Sequence, residues 1–358
     1  MRWNRKGALP ELCADLVTAA RGGDEKAFTS THRAVVSQAR RADAAELTAA
    51  VHVLAPALAD VPLANGGPLA TLVGGLVEMG ADPTAALDPL VLRVADGLER
   101  AAGFPGLWEK SSGGGEPPAP EDTGQIPVVL DGLRAVAEQA GVTRSQAGGI
   151  AEAWFTVGDW VPGLLVSLQR KDVRQALPHR QRLTAAAAAV REDIDTAYWM
   201  YGLLQVLDDE PVIVLHRATG RGYRVTLSGI GDNFQLHTLL AATLIGDPAR
   251  GLIPGEPPQR RWVAAATDGE TQPRGGIMGQ FNLVDAFGEW IWNEGRPAGI
   301  PLLDGRRVIV VDPPPYPRSW NAGRVYPLMR PTITLDGFLG PDEAARWMSK
   351  VAPDGRAS

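Results

Sequence analysis

The spacing of apolar residues changes from a helical to a strand-like period close to Pro211. Before that point, apolar residues recur every three or four positions, as they do on one face of a helix. After it, residues 223–228 alternate between apolar and polar side chains, as in a half-buried strand. The 358 residues are enough for two domains. The sequence therefore predicts an α+β protein, with an all-helical domain over residues 1–209 and an α+β domain over residues 210–351.

The first domain is expected to be an array of short helices. Its apolar stripes are separated by short polar connections, and several of them follow residue types that cap helices. The candidate N-caps are Asp24, Asp43, Asp88 and Thr143. A longer helix is predicted from about Leu183 to Leu207. This pattern favours helical hairpins in a solenoid-like arrangement, although no repeat aligns residue by residue.

Two segments offer little apolar surface to bury. Residues 111–125 read SSGGGEPPAPEDTGQ and are dominated by glycine, proline and acidic residues. Such a composition is typical of a flexible loop or linker. Residues 352–358 are short and polar, and we expect them to form a disordered tail.

The second domain is predicted to contain a mostly antiparallel sheet. Helices are expected to begin near Asp232 and near Pro341, too few to alternate regularly with the strands. That imbalance favours an α+β sheet over a doubly wound parallel one. The candidate strands are 211–216, 223–229, 262–267, 277–284, 290–292, 307–311 and 332–335.

Charge and composition exclude some classes of function. The formal net charge is −6, which argues against a dedicated nucleic-acid binder. The one basic concentration, residues 170–182, is expected to be a solvated surface. No apolar run reaches the roughly 18 residues that span a membrane, and Glu11 and Asp15 interrupt any secretory signal. The single cysteine, Cys13, cannot form an intrachain disulfide, so we expect a soluble cytoplasmic protein with Cys13 in the core.

Common catalytic and metal-binding motifs are not found in the sequence. The five histidines form no pair at metal-ligand spacing, and there is no HExxH motif, CxxC motif or EF-hand loop. There is also no GxSxG elbow and no phosphate-binding P-loop. We therefore expect no metal site, and a catalytic site would have to combine residues that are distant in the sequence.

A glycine turn lies between a predicted strand and a predicted helix. It reads Gly229-Ile230-Gly231-Asp232, a context in which free amides at a helix N-terminus can hold an anion. The simpler interpretation is a tight turn with a capped helix. Under a cofactor-binding interpretation, Gly229, Gly231 and Asp232 would be the cofactor-binding residues.

A predicted strand ends in Asp312-Pro-Pro-Pro-Tyr316. This end resembles the Asp-Pro-Pro-Tyr catalytic loop of S-adenosylmethionine-dependent amino-methyltransferases, with one additional proline. The resemblance covers about five residues, and the alternating strands and helices of that family are not predicted here. It implies that Asp312 binds a target amine, that Tyr316 stacks on the substrate, and that S-adenosylmethionine is the cofactor.

The proline-rich segment after Asp312 also has the composition of a binding loop. Prolines stiffen it, so ordering its side chains on binding costs little entropy. Aromatic and arginine side chains are the types that dominate binding hot spots. The candidate partner-binding residues are Tyr316, Arg318, Trp320, Arg324 and Tyr326. Trp290 and Trp292, on one side of a predicted strand, are expected to fill the core.

Two functional hypotheses remain. The leading one is a binding or scaffold protein that engages a protein partner or a small molecule through the aromatic and arginine loop, with no cofactor indicated. The alternative is a group-transfer enzyme that uses Asp312, Tyr316 and the glycine turn, with S-adenosylmethionine as cofactor.

Overall fold

The computed structural model describes residues 8–112, 114–321 and 323–353. Its internal contacts divide the chain between Leu204 and Gln205 into two compact units. The first is a helical array and the second carries a sheet, so the predicted α+β class is confirmed. Independent folding of the predicted domains 1–209 and 210–351 stays a prediction. From residue 354 onward, the predicted disordered tail lies outside the described residues.

Helices make up the regular structure of the first unit. No helix among the described residues is both long enough and apolar enough to cross a membrane. The helices are α1 (Leu9–Gly22), α2 (Glu25–Ala39), α3 (Ala44–Asp60), α4 (Leu63–Glu78), α5 (Thr84–Ala101), α6 (Phe104–Ser112), α7 (Ile126–Val136), α8 (Arg144–Thr156), α9 (Val161–Leu168), α10 (Lys171–Gln175), α11 (Arg180–Val190) and α12 (Asp195–Leu204).

Three of the four predicted caps set the start of helices in this unit. The cap predicted at Asp88 is wrong, because α5 begins at Thr84 and Asp88 lies inside it. The Asp24 and Asp43 carboxylates each accept a hydrogen bond from the backbone N–H three residues on, both at 2.9 Å. Thr143 and Gln146 form a reciprocal capping box at the start of α8. Each cap satisfies an amide that the helix leaves without an internal partner. The buried thiol of Cys13 confirms its predicted place in the core.

The early helices pack on near neighbours in the chain, and a later helix packs on an early one. Helix α3 packs on both α1 and α5, as in an array of hairpins, whereas α9 returns to α4. The α4–α9 crossing depends on glycine, because a Cβ on Gly163 would lie 2.1 Å from the Ala70 carbonyl oxygen. A Cβ on Gly74 would lie 2.8 Å from the Gly163 Cα. Absence of side chains therefore lets two helix backbones approach closely.

The helix predicted from Leu183 to Leu207 is wrong as a single element. The structure ends α11 at Val190 and begins α12 at Asp195. The intervening residues include Asp193, and α12 itself begins at Asp195. Short acidic side chains favour helix starts over helix interiors because they hydrogen-bond to nearby backbone groups. The apolar residues keep a helical spacing across the break, so their periodicity predicts a single helix.

Two tryptophans hold part of the segment that was predicted to be a flexible loop. The Trp108 Nε1–H donates to the Glu116 carbonyl oxygen at 2.9 Å, and the Trp154 Nε1–H donates to that of Pro118 at 2.9 Å. Pro118 is buried. The segment therefore packs against α6 and α8 at these points, and its flexibility stays a prediction.

The basic residues between 170 and 182 are mostly neutralised within their own unit. Arg182 forms ion pairs with Asp96 and Glu99 on α5. Arg174 is only 2% exposed, and its Nη1–H donates to the Leu168 carbonyl oxygen at 2.8 Å. The prediction of a solvated surface is therefore wrong for Arg174, which satisfies a helix C-terminus from inside.

The second unit is a mixed sheet with helices on both faces. Its elements are β1 (Glu210–His216), β2 (Arg221–Ser228), α13 (Asn233–Leu244), α14 (Arg260–Thr267), β3 (Ile277–Met278), β4 (Asn282–Asp285), β5 (Leu302–Leu303), β6 (Arg306–Asp312), β7 (Ser319–Trp320), β8 (Thr332–Phe338) and α15 (Pro341–Met348). The strand order is β4-β6-β1-β2-β8, with β5 added on β6 and a separate β3–β7 pair. The described strand pairs are antiparallel except β1 with β6, so the predicted mostly antiparallel sheet is confirmed.

The strand predicted over residues 262–267 is wrong, because the segment forms α14. Trp262, Ala265 and Ala266 are buried at helical spacing. Tryptophan, valine and threonine in this short run favoured a strand by propensity alone. Packing of the buried side overrides that preference.

The two faces of the sheet bury separate cores. Val212, Val214 and Ile309 face the core beneath α13 and α14. Ile213, Leu215 and Val310 face the opposite core, to which α15 contributes Ala344. The same core also contains Val284, Ala286, Val308, Leu339 and Val351, with Trp290, Leu303, Trp347 and Met348 packed at its edge. We call this second side the α15 face.

Candidate functional site

Strand register brings four residues into one row across the α15 face. Leu215 lies opposite Val310, so two residues further on Arg217 falls beside Asp312. Asp312 in turn pairs with Asn282 on β4. An isolated antiparallel bridge pairs Val284 with Trp290. Continuing that pairing by two residues places Trp292 next to Asn282. The row therefore reads Arg217, Asp312, Asn282, Trp292.

An ion pair with unused hydrogen-bonding capacity occupies one end of the row. The Arg217 Nε–H donates to Asp312 Oδ1 at 2.9 Å, and the Asp312 side chain is 6% exposed. The Arg217 Nη1–H donates to the Ala352 carbonyl oxygen at 3.1 Å. Asp312 Oδ2 and Arg217 Nη2 are buried and have no partner among the described residues. Asp312 is therefore tied into the fold, which is a different environment from that of an exposed catalytic acid.

Three aromatic side chains meet at the other end of the row. The Trp290 and Trp292 ring centroids are 5.4 Å apart, and those of Trp290 and Tyr316 are 6.5 Å apart. Trp290 is partly buried against the α15-face core. Trp292 is nevertheless 60% exposed and Tyr316 is 50% exposed. We call Trp290, Trp292 and Tyr316 the aromatic surface; the prediction that Trp292 fills the core is wrong.

Two residues of the predicted binding loop are buried and support the fold. The Arg324 guanidinium donates to the Ala265 carbonyl oxygen at 3.0 Å and to that of Gly269 at 2.9 Å, at the C-terminus of α14. Tyr326 is 5% exposed. A Cβ on Gly231 would lie 3.0 Å from the Tyr326 ring, so these residues pack closely. The structure therefore buries both side chains in the fold instead of exposing them on the surface of the loop.

Arg318 and Trp320 pack around a histidine that the sequence did not single out. The Trp320 and His237 ring centroids are 4.6 Å apart. The Arg318 Nη2–H donates to the Phe281 carbonyl oxygen at 3.0 Å. His237 is fully buried on α13, and its burial lowers its pKa to about 3, with the Arg318 charge acting in the same direction. A lone histidine inside an apolar helix gives no sequence signal of this cluster.

The backbone amides of the glycine turn and of the start of α13 already donate hydrogen bonds within the protein. The Gly231 N–H donates to Gln235 Oε1 at 2.8 Å, and the Asp232 carboxylate accepts from the Gln235 N–H at 2.8 Å. The Asn233 N–H donates to the Gly295 carbonyl oxygen. These bonds leave the start of α13 without the free amides that an anion would need. Gly229 has a φ of +69°, which explains why glycine occupies that position.

Burial dominates the chemistry of the Asp232 carboxyl group. It raises the pKa of Asp232 to about 6, against the opposing effect of the hydrogen bonds from the Gln235 and Phe234 amides and of the Arg296 charge. The carboxylate serves as the predicted N-cap of α13. The capping role at the start of α13 is sufficient to explain why an aspartate occupies position 232.

Gly229 and Asp312 lie at opposite ends of the sheet. Gly229 follows the end of β2 where Leu227 pairs with Glu210, the first residue of β1. Asp312 follows Val311, which pairs with His216, the last residue of β1. The length of β1 separates the two ends by about 20 Å. The structure therefore does not bring Gly229 and Asp312 into one transferase site.

Metal-ligating side chains do not converge in the part of the chain that the structure describes. No group of three or more histidine, cysteine or acidic residues is placed there to hold a metal ion. Comparison of the chain with protein-family models, with curated proteins and with solved structures finds no match.

Proposed function

We propose that this protein is a binding protein and that its second unit docks a protein partner on the aromatic surface. One observation carries the proposal: Trp290, Trp292 and Tyr316 pack on one another, yet Trp292 and Tyr316 remain 60% and 50% exposed. Exposed tryptophan and tyrosine side chains in contact are typical of the centre of a protein interface.

The aromatic surface is also held in place by the fold. Trp290 packs against the α15-face core, so the surface begins on a fixed side chain. Tyr316 follows three consecutive prolines, which restrict the backbone that carries it. A pre-ordered aromatic surface loses little conformational entropy when a partner binds. The helical first unit would then act as the scaffold that carries this module.

Photo-crosslinking at position 316 tests the proposal. Tyr316 is replaced by a photoreactive phenylalanine analogue, and the protein is irradiated in a lysate of its source cells. We expect a discrete protein adduct, and we expect Trp292→Ala in the same protein to reduce its yield at least tenfold. The two rings share one surface, so removing one of them removes part of the partner's contact area.

Phe338 provides the matched control. It is 47% exposed on β8 and carries an aromatic ring of similar size, outside the aromatic surface. The same analogue at position 338 should give no such adduct. Equal adducts from both positions, or none from position 316, would contradict the proposal.

A cytoplasmic location belongs to the same proposal. It is supported by Cys13, a single thiol that is fully buried in α1 as free cysteine, which suits a reducing compartment. Fractionation of source cells, with the protein followed by antibody, would contradict it if the protein were found outside the cytoplasmic fraction.

A further inference from the structure

We propose that His237, Arg318 and Trp320 form a binding site for an anionic group, a carboxylate or a phosphate, separate from the aromatic surface. Three of their nitrogen atoms carry the proposal: His237 Nδ1, Arg318 Nε and Trp320 Nε1. All three are buried and lack a hydrogen-bond partner among the described residues. We call them the donor cluster.

The hydrogen bonds of His237 determine which of its nitrogens is the donor. Its Nε2 accepts from the backbone N–H groups of Gln280 at 3.2 Å and Phe281 at 3.3 Å. An imidazole nitrogen that accepts must hold a lone pair, so the ring proton lies on Nδ1. His237 Nδ1 is therefore a donor without an acceptor. Arg318 Nε and Trp320 Nε1 carry a hydrogen in every protonation state found in proteins.

Ring contacts place the three side chains together. His237 and Trp320 meet edge to face at 4.6 Å, and Arg318 Cζ lies 5.9 Å from the Trp320 ring. Phe281 connects them on the other side, because its N–H donates to His237 and its carbonyl oxygen accepts from Arg318. His237 lies on α13, Trp320 lies on β7 and Arg318 immediately precedes β7, so the donors come from segments that are about 80 residues apart in the chain.

The charge of the cluster favours an anion. Arg318 forms no ion pair with a carboxylate in the described ranges. Leaving a buried donor unsatisfied costs about 1–3 kcal/mol, more when the donor is charged. An oxyanion is the ligand that accepts from several donors at once and also neutralises the guanidinium. A neutral ligand would leave the Arg318 charge without a counterion.

This cluster is separate from the proposed partner surface. Trp320 packs with Trp262 and Ile277, on the small β3–β7 sheet, and His237 belongs to α13. The aromatic surface lies on the α15 face. Loss of one activity therefore leaves the other intact, and the two proposals fail independently.

A buried water is the competing occupant. Asn233 Oδ1, one helical turn before His237, is also buried without a partner. One water could accept from His237 Nδ1–H and donate to Asn233 Oδ1. That arrangement would satisfy the histidine without any ligand, so the experiment has to distinguish an anion from water.

Titration followed by nitrogen–proton NMR tests the proposal on the intact protein. Sodium phosphate and sodium acetate are added separately at constant ionic strength, with chloride as reference. The Trp320 indole resonance is assigned from the spectrum of Trp320→Phe, which keeps a ring and removes the donor. We expect a saturable downfield shift of that resonance and of the His237 Nδ1 resonance, with either phosphate or acetate.

Variants of the donor cluster measure how much each side chain contributes to anion affinity. Trp320→Phe should weaken anion binding at least tenfold, and Arg318→Gln should weaken it more, because it removes the charge. Trp347→Phe on α15 is the matched control and should leave the affinity unchanged. If Trp320→Phe folds poorly, the His237 Nδ1 resonance of the wild-type protein still distinguishes anion binding from a buried water.

The outcomes separate the two anion sources and the water. Saturation with phosphate alone would assign a phosphoryl ligand, and saturation with acetate alone would assign a carboxylate. Linear shifts up to 100 mM of either anion, equal to those in chloride, would overturn the proposal in favour of a buried water.

Discussion

At the residue scale, chemical type does not determine role in the segment after Asp312. Tyr316 and Tyr326 belong to one proline-rich loop and have the same side chain, yet Tyr316 is 50% exposed and Tyr326 is 5% exposed. The sequence identified both, because their composition is that of a binding loop. It could not separate them, because a loop has no period from which burial can be read.

The ion pair of Arg217 with Asp312 shows a second limit at this scale. These residues are 95 positions apart and meet only because β1 and β6 pair in parallel. Asp312 was found from a five-residue resemblance, and nothing in the sequence pointed to Arg217. The same holds for His237, whose importance depends on Trp320 and Arg318 packing beside it.

Asp232 and His237 predict a pH dependence of stability. Burial raises the pKa of Asp232 to about 6, so the folded state holds its proton more tightly than the unfolded state. Its stabilising contribution is present at low pH and is lost as pH rises from about 4 to 6. Burial lowers the pKa of His237 to about 3, so its contribution is lost as pH falls from about 6.5 toward 3. The two effects oppose each other between pH 4 and 6.

Replacing Asp232 with asparagine should separate the contribution of Asp232 to the pH dependence of stability from that of His237. Asparagine keeps the N-cap oxygen and removes the buried charge. We expect Asp232→Asn to raise the free energy of unfolding by roughly 1–3 kcal/mol at pH 8, and to have little effect at pH 4. Urea unfolding from pH 4 to 8 measures this difference. A variant that is less stable than wild type at pH 8 would show that the carboxylate, once charged, is better satisfied than its burial implies.

At the element scale, capping chemistry was predicted well and packing was not. Asp24, Asp43 and Thr143 cap the helices that the sequence assigned to them, because a cap depends on residues three positions apart. The helix α14, by contrast, depends on partners far along the chain. Arg324, for instance, supplies donors to the last carbonyl groups of α14 from about 60 residues away.

The close crossing of α4 and α9 gives a prediction at this scale. Gly163→Ala should destabilise the protein by about 1–3 kcal/mol, because its Cβ would meet the backbone of α4 at Ala70. Gly75→Ala, on α4 itself, is the matched control, since nothing lies within 4 Å of its Cβ. We expect that control to stabilise the helix by up to about 1 kcal/mol.

Thermal unfolding of the two variants measures the difference. A melting temperature that falls for Gly163→Ala and rises or stays constant for Gly75→Ala agrees with the crossing described here. Equal changes in both variants would mean that α9 does not approach the α4 backbone closely at Gly163.

At the scale of the whole molecule, the change in apolar period near Pro211 predicted the two-part organisation, and the structure divides the chain between Leu204 and Gln205. Period and propensity are local properties, so they identify helical and sheet regions. They do not say which strands are neighbours. Asp312 and Asn282 are neighbours because of strand register, and Arg217 reaches Asp312 from the turn that follows β1. For that reason the candidate site was only partly visible in the sequence.

Urea unfolding of Tyr316→Ala and Tyr326→Ala distinguishes a binding residue from a structural residue within one loop. Tyr316 is assigned to partner binding, and Tyr326 is buried in the core. Tyr316→Ala should change the free energy of unfolding by less than about 0.5 kcal/mol. Tyr326→Ala should lower it by about 3 kcal/mol, as expected for truncation of a large buried side chain. Equal losses, or a larger loss for Tyr316→Ala, would contradict the division of this loop into a binding part and a structural part.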